Sequence, residues 1–446
     1  MQQELVRMIQ PKVLKGFRDA LPAQEMIRKQ VIASLEHDFS LHGFVPIDTP
    51  VLEYTEVLLG KGGGETDKQI FHFADNGGRD VALRFDLTVP FARFMAGHLH
   101  EVPLPFKRYH IAKVWRGENP QRGRYREFYQ CDFDIVGNDS AYADVEILSM
   151  MHSALRALGL DRFTIHVAHR GLFNAFLTHI GVQNHAVEIL RTVDKLRKIG
   201  SEAVSMQLTE ITGNSENAQA ILGYIETDTA GDVHAVIDHL GTIAGGERVH
   251  TKRLHTLFSL LEALGIAQSF TLDLSITRGL DYYTGVVYET FLDDLPAIGS
   301  VCSGGRYNDL ASLYTSEHLP GVGSSIGLDR LLAALEELDH PLIQDTASSD
   351  VIILNQNESY RSYSHQLAGA LRKGGIRCDI YLAERKIGAQ FKYAEQQRIP
   401  YAILLTDEDI AHQTCTLREL SKRIDHPNLT ADEVIDYLKR EYLCSP

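Results

Sequence analysis

Between Phe106 and Gly137, arginines, aromatic rings and carboxylates are spaced so that they could hold a nucleotide beside a small cation. Side chains on a strand alternate faces with period two. In the run YREFYQCDFDIV, Arg126, Phe128, Gln130, Asp132 and Asp134 therefore share one face, and Tyr125, Tyr129, Cys131, Phe133 and Ile135 share the other. Guanidinium forks suit phosphate oxygens. A ring such as Phe128 can stack on a base, and carboxylates on the same floor suit an ammonium or imidazole group. A solvent-facing hairpin whose charges only keep it soluble would show the same alternation, so the choice between the two readings falls to other segments.

The elements that must position these groups can be read around them. Upstream, KRYHIAKVWRGE reads as a second strand ending at Arg116, and the intervening ENPQRGR is rich in turn formers, so an antiparallel hairpin is predicted. In ALRFDLTVP, Arg84, Asp86 and Thr88 alternate with Leu83, Phe85 and Leu87. In ITRGLDYYTGVVYE (276–289) an arginine, two adjacent tyrosines and a glycine turn precede a β-branched strand. VCSGGRYNDL (301–310) and GVGSSIGLDRLLAAL (321–335) follow, the latter running into a helix near Leu328.

Taken together, in this order and spacing, these segments resemble the histidyl-tRNA synthetase family of class II aminoacyl-tRNA synthetases. RGLDYYTG and SGGRYND are similar to that family's two histidine-specific motifs. The hairpin is similar to the class's second motif, GLDR to its third and FVPIDTPVLE (44–53) to its first. The resemblance covers nearly the whole chain. It implies activation of L-histidine by ATP, followed by transfer to the 3′ end of tRNA(His).

Activation brings a carboxylate against the α-phosphate of ATP, and fixed cations at that centre stabilise the charge that develops. By resemblance, Arg116 grips the α-phosphate and the substrate carboxylate, Arg278 takes a catalytic role beside the histidine, and Arg330 meets the γ-phosphate. Glu118 and Arg124 hold the adenine and phosphate ends, Phe128 lies under the adenine, and Mg²⁺ sits on the phosphates. The resemblance further implies that Asp86, Thr88 and Gln130, with the intervening Leu87, bind the α-ammonium. Asp134 and Tyr283 hold the two imidazole nitrogens and Tyr282 lines the pocket. No side chain is nominated as base for the transfer step, and no metal held by protein ligands is expected.

Three positions depart from the commoner bacterial pattern. RFDLT stands where many members have RPEGT, so the carboxylate arrives on an aspartate. Asn308 follows GGRY in place of the more usual aspartate, and Asn119 and Gln121 occupy the hairpin turn expected to face the tRNA acceptor end.

The implied fold is an α+β catalytic domain, an antiparallel sheet flanked by helices of the class II synthetase type, with a helical insertion and a C-terminal α/β anticodon-binding domain. Its parts are assigned to residues 1–171, 172–270 (the insertion, rich in Ala, Leu and Ile and broken by Gly181, Gly213 and Gly231), 271–337, a linker at 338–349, and 350–446. In the last, strand and helix patterns alternate, which argues a small α/β domain; Arg385, Lys386 and Lys392 are its candidate RNA contacts. The first-motif region implies a homodimer.

Composition limits the alternatives. The 446 residues, 44% hydrophobic and 23% charged, describe an ordinary globular chain of two or three domains. A net charge of −15 is unexpected for a tRNA partner, but phosphate contacts depend on local clusters. Lys107, Arg108, Lys113, Arg116, Arg122, Arg124 and Arg126 crowd the hairpin. Five cysteines without a CxxC pair suggest neither zinc nor a disulfide framework. The start MQQELVRMIQPK has no apolar signal core, and a cytoplasmic protein is expected. GKGGGETDK lacks the GK[ST] ending of a Walker loop, and GVGSSIG opens no βαβ unit of the dinucleotide-binding kind.

Two other classes share such a fold. A regulatory paralogue serving histidine biosynthesis as a histidine-sensing subunit typically loses the RGLDYYTG run and the C-terminal domain, and both are present here. A sensor of uncharged tRNA would be expected to lose motif arginines or carry a kinase partner domain, and neither holds.

Overall fold

The computed structural model describes residues 9–60, 69–120, 123–276, 282–343 and 347–444. They divide into two compact units, Met1–Leu342 and Ile343–Pro446.

The first unit opens with α1 (Pro22–Leu41), where proline at the start costs no hydrogen bond and Val31, Leu35 and Phe39 are buried along one side. Gly43, at φ 76°, ends it in the left-handed region that glycine tolerates best. Then come β1 (Val45–Pro46), β2 (Leu52–Tyr54), α2 (Thr55–Leu59), β3 (His72–Ala74), β4 (Asp80–Leu83) and α3 (Thr88–His98). The hairpin follows as β5 (Phe106–Trp115) and β6 (Glu127–Val136), then α4 (Ala141–Ala157) and β7 (Phe163–His169).

Helices fill the chain from there to the next strand: α5 (Arg170–His179), α6 (Ala186–Val193), α7 (Leu196–Ile199), α8 (Ser201–Thr212), α9 (Ser215–Ile225), α10 (Val233–Ile243) and α11 (Val249–Ala263). Asn214 and Asp232 cap α9 and α10 by accepting from Glu216 N and His234 N. Phe173 and Phe176 pack on Tyr224 with ring centroids 5.2 and 4.6 Å apart. The strands resume as β8 (Phe270–Leu272), β9 (Val286–Leu292), β10 (Cys302–Arg306) and β11 (Gly321–Gly327), and α12 (Leu328–Glu337) closes the unit.

Eight strands form one sheet in the order β1-β5-β6-β11-β10-β9-β7-β8. The expected antiparallel sheet is found in its six central strands, and parallel pairs β1–β5 and β7–β8 are added at the edges. A small β2-β4-β3 sheet stands apart. On one face of the large sheet the odd-numbered residues of β6 meet helices: Phe133 lies 5.0 Å, ring to ring, from Phe39 of α1. The even-numbered face is just as buried around Gln130, Asp132 and Asp134. Burial of both faces excludes the solvent-facing hairpin.

One fully buried carboxylate ties the helical stretch to this sheet. Asp144 in α4 pairs with Arg253 of α11 at 2.6 Å and with Arg306 of β10 at 2.7 Å. Stripping ions of water is repaid only when partners are close and additional hydrogen bonds are made. Arg306 meets that condition, donating also to the carbonyl of Asn138 and the side-chain oxygen of Asn308.

The second unit runs β12 (Val351–Ile353), α13 (Arg361–Lys373), β13 (Cys378–Ile380), α14 (Ile387–Gln396), β14 (Tyr401–Leu404), α15 (Asp407–His412), β15 (Cys415–Glu419), β16 (Ile424–Leu429) and α16 (Ala431–Cys444). Its sheet order is β13-β12-β14-β15-β16, parallel across the first three strands and antiparallel across the last two. Central β12, buried at every residue, reads as the unbroken apolar run expected of a strand covered on both sides. Among the described residues no helix is long and apolar enough to cross a membrane.

Candidate active site

Three carboxylates are buried together on the even-numbered face of the large sheet. Asp132 and Asp134 come from β6, and Asp86 comes from the turn ahead of α3. The alternation seen at 83–88 is not strand at its distal end: β4 stops at Leu83, and Asp86 Oδ1 accepts from Val89 N at 3.1 Å as α3 begins. Tyr282 donates to Asp86 Oδ2 at 3.4 Å, and the Thr88 hydroxyl lies 3.5 Å from Asp132 Oδ2. Tyr307 donates to Asp134 Oδ1, and Arg108 reaches Asp134 Oδ2 at 2.7 Å. Tyr282 stands edge-on to Tyr283 at 5.0 Å and to Tyr307 at 6.0 Å, which makes an aromatic wall.

Strand register explains the assembly. Directly opposed residues in antiparallel strands face the same side. Arg108 and Gly323 oppose Asp134, His110 and Ser325 oppose Asp132, and Ala112 and Gly327 oppose Gln130. Gln130 Nε2 donates to Ser325 Oγ at 2.9 Å. Glycine is required beside Asp134, because a Cβ on residue 323 would lie 1.9 Å from Asp134 Oδ1. At Gly305 a Cβ would lie 2.7 Å from the carbonyl oxygen of Val286 and 2.9 Å from the Tyr283 ring.

The electrostatics of this floor ask for a cation. Burial pushes Asp132 up to about 7; Asp134 and Asp86 add to the rise, and Arg108 and Ser325 oppose it. Burial likewise lifts Asp86 to about 6 against the Val89 N–H, Arg116, Tyr282 and Arg108. Asp134 is raised by burial against Arg108 and the Tyr307 hydroxyl.

A cationic region adjoins it. Arg116 donates from Nε to the Phe85 carbonyl at 2.9 Å, and its guanidinium carbon lies 5.2 Å from the centroid of the Phe128 ring. Arg330, in the first turn of α12, donates to the Ser300 carbonyl. Its basicity falls to about 10, first through burial and then through the charges of Arg124 and Arg116; Glu289 and Glu118 oppose the fall. Three guanidinium groups thus share one field, the arrangement that a polyphosphate would neutralise. An acidic pocket for an amine or imidazole beside a basic cleft for phosphates is what amino-acid activation requires.

The model of the family described as histidyl-tRNA synthetase matches residues 16–331, and that of an anticodon-binding domain matches 350–441. The chain belongs to the histidyl-tRNA synthetase family. It is 50% identical to a histidine–tRNA ligase of Treponema denticola across 96% of both chains. The crystal structure of histidyl-tRNA synthetase from a Nostoc species superimposes with a TM-score of 0.86 at 30% identity, covering 97% of this chain and 100% of the other. A Bacillus halodurans structure described as an ATP phosphoribosyltransferase regulatory subunit/histidyl-tRNA synthetase shares the fold, with a TM-score of 0.72 at 24% identity over 85% and 95% of the two chains.

In this synthetase-family chain, Asp86, Leu87, Thr88, Gln130, Asp134, Tyr282 and Tyr283 lie on or around the acidic floor. Leu87 contributes its backbone carbonyl, which accepts from Arg108 at 3.4 Å. Arg116, Glu118, Arg124, Phe128 and Arg330 gather at the basic end. Arg278 lies outside the described residues, as does Arg122.

The basic run expected to meet phosphates is largely consumed within the fold. Lys107 pairs with Glu146 and Lys113 with Glu127, each at 2.8 Å. Arg108 pairs with Asp134, and Arg126 donates to the carbonyls of Glu118 and Lys15. Arg84, grouped in the sequence with Asp86 and Thr88, points away to the carbonyls of Thr49 and Lys113.

Sequence reasoning did not assign Arg108, Tyr307 or Ser325 to the pocket, and it placed Asp132 on the floor by strand alternation without giving it a role of its own. Strand pairing held the signal for the first, since a hairpin centred on the 117–126 turn sets Arg108 opposite Asp134.

Proposed function

We propose that this chain is a histidine–tRNA ligase. It activates L-histidine with ATP to histidyl-adenylate and pyrophosphate, then transfers the histidyl group to the 3′ end of tRNA(His). The observation that carries this reading is the acidic, tyrosine-walled floor of Asp86, Asp132 and Asp134 set beside the shared field of Arg116, Arg124 and Arg330.

Histidine enters with its α-ammonium toward Asp86, Thr88 and Gln130 and its imidazole toward Asp134 and Tyr283, with Tyr282 closing the side. Its carboxylate then faces Arg116 and attacks the α-phosphorus, with Arg278 in the catalytic role that the resemblance gives it, and pyrophosphate leaves toward Arg330. Fixed guanidinium groups stabilise the charge that grows on the phosphoryl oxygens and need no reorganisation to do so. Phe128 supports the adenine, with Glu118 and Arg124 at the adenine and phosphate ends.

Mg²⁺ enters as part of MgATP. Such an ion would need few protein groups beside phosphate and water oxygens, and Glu118 and Glu289, the carboxylates that act on Arg330, would be the residues to hold it. Bound there, the ion would supply further neutralisation of phosphate charge.

Pairing Asp134 with Arg108 favours a neutral imidazole over the ammonium of a lysine side chain, because the carboxylate already has its counter-charge. A site built on paired hydrogen bonds rejects analogues lacking them by on the order of 10⁴ to 10⁵.

The helices between β7 and β8 form the insertion at 172–270, which clamps the tRNA acceptor arm. The unit at 350–446 reads the anticodon, with exposed Arg385, Lys386 and Lys392 as RNA contacts. Exposed Val45, Leu52, Tyr54 and Phe73, near the edge strand β1 and on the small sheet, support a homodimer built on the 44–53 region. The compartment is the cytoplasm.

ATP–pyrophosphate exchange with each of the twenty amino acids tests the reading. Exchange with histidine alone is the expected result. Silence with every amino acid in folded protein would overturn it in favour of a histidine-sensing subunit.

A further inference from the structure

We propose that Asp132 is a substrate-binding residue, whose carboxylate takes the α-ammonium of histidine together with Asp86, Thr88 and Gln130. The inference deepens the histidine–tRNA ligase reading and rests on it. Asp132 sits between Gln130 and Asp134 on one strand face, 1% exposed, and its Oδ1 has no hydrogen-bond partner among the described residues. Gln130 Oε1 beside it is likewise buried and unpartnered. Two orphaned acceptors side by side, with no donor of their own, match the N–H groups of an incoming ammonium. Leaving such atoms buried and unpaired is costly, so a ligand that supplies donors recovers that cost on binding.

Among the described residues, the other groups facing Asp132 do not serve instead. From β5, Arg108 pairs through Nη2 with Asp134, and its remaining buried donors Nε and Nη1 make no hydrogen bond to Asp132; the His110 ring is held neutral, its pKa lowered to about 3 by burial, Arg108 and Arg84. Arg84 donates to backbone carbonyls. From β11, Ser325 accepts from Gln130 and its hydroxyl favours the Asp132 carboxylate, but it makes no hydrogen bond to Oδ1; from the start of α3, Thr88 reaches only the other oxygen, Oδ2. Asp86 and Asp134 carry the same sign as Asp132. Tyr282 donates to Asp86, and Tyr283 is kept protonated by burial.

Near neutral pH the empty pocket therefore keeps a proton on Asp132 for part of the time. Arrival of the ammonium ionises the carboxyl: the Oδ–H bond breaks, the proton leaves to solvent, and an N–H···O⁻ hydrogen bond forms in its place.

Calorimetric titration tests this on the full-length protein at about pH 7, in two buffers of different ionisation enthalpy. The ligands are L-histidine and imidazolepropionate, which is histidine without its amine. The ammonium of histidine lowers its ring pKa relative to imidazolepropionate, so the protons each ring gives up on binding are calculated from the titration of the free ligand and subtracted before the comparison. Wild type is expected to release more protons with histidine than with imidazolepropionate. Asp132→Asn is expected to weaken histidine binding by about tenfold or more, to leave imidazolepropionate within about twofold, and to lose the extra proton release. Equal weakening of both ligands, weakening of neither, or unchanged proton release would overturn the proposal.

Asp132→Ser serves as a second variant if the asparagine form does not fold. Should neither fold, the wild-type proton counts decide, and equal release with both ligands rejects the assignment. If wild type binds no histidine, the ligase reading itself fails.

Discussion

Arg108 and Asp134 face each other across the β5–β6 hairpin at 2.7 Å, and neither is reached by solvent. Removing one member of such a pair leaves an uncompensated buried charge. Arg108→Ala is therefore expected to lower unfolding free energy by about 3–5 kcal/mol. Urea denaturation measures it, and a loss under about 1 kcal/mol would show that the pair is not what holds this face together.

Among the described residues Arg116 touches no acidic partner that a substitution would strand; its side chain bonds the Phe85 carbonyl and lies on the Phe128 ring. Arg116→Ala should leave the melting temperature nearly unchanged while slowing histidine-dependent pyrophosphate exchange by roughly 10² to 10³. Parallel melts and exchange rates separate the two effects.

Asp132 gives stability a pH dependence of definite sign. Its folded-state pKa, about 7, lies above the ordinary carboxylate value, so between about pH 4 and 7 the folded state binds more protons than the unfolded one. Its contribution is most favourable at the acid end of that window and is lost as pH rises through it. Relative to Asp132→Asn, wild type should lose up to about 1.4 kcal/mol per pH unit there and run parallel above it. Denaturation at a series of pH values in the absence of histidine tests this, and a flat difference would contradict the assigned burial.

Gly323→Ala should be more damaging than its single added carbon suggests. The new Cβ would stand 1.9 Å from Asp134 Oδ1 and 2.8 Å from the Phe133 carbonyl oxygen, and strand pairing fixes both sides. A cost of about 1–3 kcal/mol is expected, with a raised KM for histidine and an unaltered KM for ATP. Equal changes in both constants would mean that the whole sheet has shifted.

In the second unit, Thr406 and Asp409 cap each other at the start of α15. Thr406→Ala should destabilise that unit by about 0.5–2 kcal/mol. Histidine-dependent pyrophosphate exchange, assigned here to the first unit, should be unaffected, and a fall would show that activation depends on the second.

The hairpin was legible because alternation with period two leaves a direct mark in the sequence, and Phe128, Gln130 and Asp134 were placed from it alone. Arg108 was not, because a buried arginine and a phosphate-binding one look identical until strand pairing sets an acid opposite one of them. Asp86 was assigned its role from the resemblance, while its backbone went unread: a carboxylate accepting from the third residue onward marks a helix entrance, and the alternating run ALRFDLTVP concealed it. GVGSSIG proved to be β11, where its glycines make room for Asp134 and Tyr307. That reason for glycine depends on a neighbouring strand and leaves no local trace.

The glycines of β10 and β11 shape the pocket by what they leave out. Any residue larger than hydrogen at 323 collides with Asp134, and at 321 with the Tyr307 ring, so mutational drift has no small step available on that wall. Tyr282 and Tyr283 are the yielding side, since both can be shortened without moving a strand. A reprogrammed enzyme accepting a bulkier amino acid would have to be selected from changes at the tyrosines, and libraries that randomise the glycine floor should return few active clones.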